Sequence, residues 1–347
     1  MADPILKTYA SLAAQHLERA ATNLALRQLG GQAGIVVPLG SAAGNVPPWA
    51  GSDDLDFHGT LAAIWVWARH QSLAGHGRFE PNRRAAWSFV EGLWRSFIPE
   101  AIGPEASDEA AFDCALVLRA ALAEGVVPGA KEGRAGLVAG AARVIAAYLS
   151  ELDELSGRDF QDPGFLAWNL IEYARAVEDR GLLSAGRRFV ERAFGMKAPP
   201  RFETEPESAG GLFDFSSTTA MRVMAIVACE GHTPFVGAWL RERVAPAVPK
   251  AFVTRARDEN CWNACVAAVI GRAYVVSTDP VLLDAYRAIC GEIARRDADG
   301  DAALGREGAG DGAADTLATF YYALAADALV RAEASVETLR RNVDGRR

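Results

Sequence analysis

Residues 52–70 read SDDLDFHGTLAAIWVWARH, with three aspartates and a histidine directly before an apolar run that carries two tryptophans. The apolar residues from Leu61 to Trp67 leave no polar face, and a helix that is apolar all round is a buried one. Five further segments share this character: SDEAAFDCALVLRAALAEG (107–125), DPGFLAWNLIEYARAVEDRG (162–181), FDFSSTTAMRVMAIVACEG (213–231), DENCWNACVAAVIGRAYVVS (258–277) and GDGAADTLATFYYALAADAL (310–329). Each opens on an acid or a small polar residue, continues through alanine-rich apolar sequence, and often stops near glycine. They recur roughly every 50 residues, the period of stacked helix pairs.

Between them lie segments with one charged face: NRRAAWSFVEGLWRSFI, GRAGLVAGAARVIAAYLSELDEL, SAGRRFVERAFGM, PFVGAWLRERVAPAV and DPVLLDAYRAICGEIARRD. Strand signals are nearly absent, so the expected class is all-α. Buried helices alternating with surface helices predict an α/α toroid of about six pairs, with inner helices jacketed by outer amphipathic ones. An open solenoid of helix pairs is the competing arrangement. A single domain over 1–347 is expected, with a helix in 1–30 packed on the outside and a frayed tail over 335–347. The polar stretches 197–210 and 295–312 read as long loops within the repeat.

Composition limits the partners. The chain has 347 residues and a formal net charge of −8, with arginines scattered among acids, which argues against a nucleic-acid footprint. Its longest apolar runs are broken by Arg69 and Arg272, well short of the roughly 20 apolar residues that span a bilayer. The start, MADPILKTYASLAAQHLERAATNL, lacks the pattern of a signal peptide. Cys114, Cys229, Cys261, Cys265 and Cys290 sit in apolar helical patterns, an odd set that suggests reduced thiols and a cytoplasmic location. Scattered charged surface helices leave room for a homodimer.

The segments DTLATFYYALAA (315–326) and STTAMRVMAIVA (217–228) resemble inner helices of the terpenoid cyclase and protein prenyltransferase superfamily. In class II cyclases of that superfamily the catalytic acid lies in an Asp-x-Asp-Asp-Thr motif at the start of such a helix. Asp54-Leu55-Asp56-Phe57 supplies the first two acids, with Phe57 in the place of the third and Thr60 further along. The resemblance implies an isoprenoid substrate and a proton donor at Asp54 or Asp56, with Asp53 and His58 tuning it. The Asp, Cys and His zinc ligands of a protein prenyltransferase have no counterpart that can be assigned here.

The residues themselves leave two readings of the acidic cluster open. Ser52 or Asp53 caps a helix whose first turn attracts acids through its dipole, or crowding lets one carboxyl hold a proton for use as an acid. Asp113, Asp162, Asp214, Asp258, Glu259 and Asp315 fall at the other inner-helix starts, on one rim of a toroid. As a ring they are candidate ligands for Mg²⁺ or the paired acids of glycoside cleavage, although no cofactor is firmly implied. Phe57, Trp65, Phe112, Trp168, Phe215, Trp262 and Tyr321 are the candidate aromatic lining. They either fill a core or offer π-faces to a carbocation or a sugar. Asn169, Asn260 and Asn263 keep a carbohydrate substrate open as the alternative, and a non-catalytic helical-repeat binder is a third possibility. The Asp297-Ala-Asp299-Gly-Asp301 loop fails as an EF-hand, because Ala302 and Gly308 occupy the positions that need glycine and glutamate.

Overall fold

The structure, a computed structural model, describes residues 4–26, 28, 57–101, 108–125, 132–152, 161–194, 224–229, 267–272, 274, 279–296, 323 and 327. The bounded helices are α1 (Pro4–Leu26), α2 (Phe57–Ala74), α3 (Glu80–Ala101), α4 (Asp108–Ala123), α5 (Glu132–Glu151), α6 (Gln161–Ala176), α7 (Arg180–Phe194) and α8 (Pro280–Arg296). Residues 224–229 and 267–272 are also helical, and no β-strand occurs among the described residues. The all-α expectation holds over this part of the chain.

Two layers form for the reason that the sequence pattern implies. In α2 every residue from 59 to 68 is buried, and α4 and α6 bury 114–121 and 163–171 without a break. These three helices lie side by side in one layer. In α7, by contrast, buried Phe189 and Val190 are flanked by exposed Arg187, Arg188, Glu191 and Arg192. That one-sided pattern belongs to a helix with one wet face. Accordingly α3, α5 and α7 make the second layer, each packed on the first-layer helix that precedes it.

The first-layer helices stop in a common way. Gly75 follows α2 with φ 71°, Gly125 follows α4 with φ 63°, and Glu178 follows α6 with φ 56°. A left-handed residue here lets the chain reverse while its N–H groups satisfy the last carbonyls; the Gly75 N–H donates to the Gln71 carbonyl at 3.0 Å and that of Asp179 to Ala174 at 2.9 Å. Asp179 then caps α7, its Oδ1 accepting from Gly181 and Leu182 at 2.8 and 3.0 Å. The layers approach closely at Gly186 of α7, where an added Cβ would lie 2.7 Å from Ile171 Cγ1 of α6.

Helix α1 rests on α2 through buried Leu17, Ala20, Ala21 and Leu24. The Trp67 indole N–H donates to the Ala21 carbonyl at 2.9 Å, giving that buried donor its partner. No helix among the described residues is long and apolar enough to cross a membrane.

Candidate functional site

A charged side chain inside an otherwise apolar helix has to find a counter-charge, because burying it alone costs far more than a domain can spare. The inner helices carry such lone charges in their C-terminal halves: Arg69 in α2, Arg119 in α4 and Glu172 in α6. Arg119 Nε donates to Asn169 Oδ1 and its Nη1 to Glu172 Oε2, both at 2.7 Å. Arg272, from the 267–272 helix, pairs with the other oxygen of the same carboxylate. Burial pushes the Glu172 carboxyl up, but the charges of Arg119 and Arg272 and the hydrogen bond from Arg119 overcome this and hold it at about 2. Glu172 is therefore an ionised counter-charge at neutral pH and not a proton donor.

An aromatic series leads to this network. Phe112 of α4 stacks on Phe165 of α6 with ring centres 4.9 Å apart, and Phe165 meets Trp168 edge to face at 5.7 Å. The Arg119 guanidinium lies 4.0 Å over the Trp168 ring. Arginine on an indole face is a strong form of the cation–π contact. Asn169 is committed at both ends, since its Nδ2 donates to the Phe165 carbonyl at 2.8 Å.

A second charge pair joins distant parts of the chain. Arg69 donates from Nε and Nη2 to Asp327 Oδ1 at 2.9 and 2.7 Å, across 258 residues of sequence. Arg175 of α6 and Arg187 of α7 both donate to the Cys229 carbonyl, at 2.5 and 3.2 Å, and Arg175 also reaches the Ala228 carbonyl. These guanidinium groups meet backbone carbonyls of the 224–229 helix.

Of the residues singled out from sequence, Trp65 and Trp168 are packed away at 3% and 2% exposure, while Phe112 and Asp113 are half-buried near the start of α4. Asp113 adjoins Cys114, whose thiol is pushed up by burial and then by that carboxylate, which leaves it unreactive. Phe57 and His58 open α2, but their side chains lie outside the described set. So do Asp53, Asp54, Asp56, Asp214, Phe215, Trp262, Asp315 and Tyr321, along with the loop at 297–301. No group of three or more histidine, cysteine, aspartate or glutamate side chains among the described residues is arranged to hold a metal. The described groove, of about 410 Å³, lies on α1 against Ala14, Gln15, Glu18 and Arg19, away from the aromatic series.

The sequence places candidate chemistry at the helix starts, whereas the structure builds its network from Arg119, Glu172, Arg272 and Asp327 within the helices. A signal was available for Arg119, Arg272 and Asp327, each a solitary charge within an apolar run that therefore needed a partner. Comparison of the chain with protein-family models, with curated proteins and with solved structures finds no match.

Proposed function

We propose that the chain closes into an α/α toroid of about six helix pairs and acts as a terpenoid cyclase-like enzyme on a polyprenyl substrate. Closure is supported by the Arg69–Asp327 pair, which joins the first inner segment to the last. An open stack of pairs would hold those segments apart. The Glu172–Arg272 pair supports it too, since it skips the intervening inner segment as a chord across a ring would.

The observation that carries the substrate reading is the aromatic series Phe112–Phe165–Trp168, continued by Arg119. Half-buried Phe112 offers a π-face where a cationic intermediate is stabilised. Ionised Glu172 adds negative charge without supplying a proton, and proton donation falls to Asp54 or Asp56. A different observation favours a second reading, a non-catalytic helical-repeat protein: Phe165, Trp168 and Trp65 are at most 3% exposed, as rings that fill a core are.

Product analysis by gas chromatography and mass spectrometry separates the two. Purified protein is incubated with Mg²⁺ and a panel of polyprenyl diphosphates, squalene and prenyl alcohols, beside Asp54→Asn and Asp56→Asn. A cyclised product from the wild type that is lost in either variant is the expected result. Unchanged substrates throughout, with both variants merely less stable by about 0.5–2 kcal/mol as for a lost cap, would overturn the enzyme reading in favour of the second.

A further inference from the structure

We draw no further inference here: the strongest candidate, the side-chain cluster of His70, Glu18 and Arg78 where α1 packs on α2, is the joint between those two helices, and nothing among the described residues points from it to a ligand.

Discussion

The molecule uses one arrangement twice. In the first layer Glu172 bridges Arg119 and Arg272, and Arg119 lies on Trp168. Near the second layer Glu124 bridges Arg83 and Arg134 at 3.1 and 3.2 Å, and Arg134 lies 4.5 Å over Trp87 while also pairing with Glu91 at 2.8 Å. The components are alike, but their reach differs. Glu124 follows α4 directly, Arg134 is in the first turn of α5 and Arg83 in that of α3, so the outer clasp pins neighbouring helices. The inner network ties α6 to a helix a hundred residues away. The outer clasp therefore depends on local folding, and the inner one on assembly of the whole first layer.

The sharpest way to break this comparison is Glu172→Gln. It leaves two guanidinium groups without their shared counter-charge and should cost about 3–5 kcal/mol in denaturant unfolding. The same group carries a pH signature. Its folded pKa is depressed to about 2, so its contribution is full above the unfolded carboxylate value of about 4.3 and fades as pH falls toward 2. Wild-type stability should fall through that window, and the Gln variant should show a flatter profile there.

Next in size is Gly186→Ala, which tests the contact between layers. The new methyl meets Ile171, and an overpacked core of this kind loses about 1–3 kcal/mol. Trimming Ile171 to alanine removes the Cγ1 that the new methyl would meet, so in the same chain the two losses should sum to less than their separate values, as a double-mutant cycle would report. Arg134→Met removes one arm of the outer clasp and should cost about 1–2 kcal/mol, since Glu124 keeps Arg83 as its counter-charge and the stem still covers Trp87. A loss equal to that of Glu172→Gln would erase the distinction between local and long-range networks. The smallest effect is a gain: Glu178→Gly relieves a left-handed non-glycine residue and should stabilise by about 0.5–1 kcal/mol in thermal melts.

Much of the fold was legible because burial leaves its mark residue by residue. The unbroken apolar runs of α2, α4 and α6 announced buried helices, and the arginine-rich face of α7 announced a surface one. Gly75 and Gly125 marked helix stops, whereas Glu178 does the same work without any local signal, its conformation being imposed by the reversal into α7. The site was less legible. A lone Arg69 says that a carboxylate is needed, but nothing local says that it is Asp327. Phe112 and Phe165 were foreseeable neighbours, standing 53 residues apart, about one repeat. His70 gave no sign of its pairing, since its partner Glu18 stands on α1, 52 residues away.

The double grip on Cys229 has a consequence for how this architecture can vary. Arg175 and Arg187 come from the two helices of one pair and close on the Cys229 carbonyl of the helix at 224–229. Excising or duplicating that pair would set those guanidinium groups against carbonyls not placed to receive them. This pair is thus keyed to the helix at 224–229, and its place in the order is held by that joint.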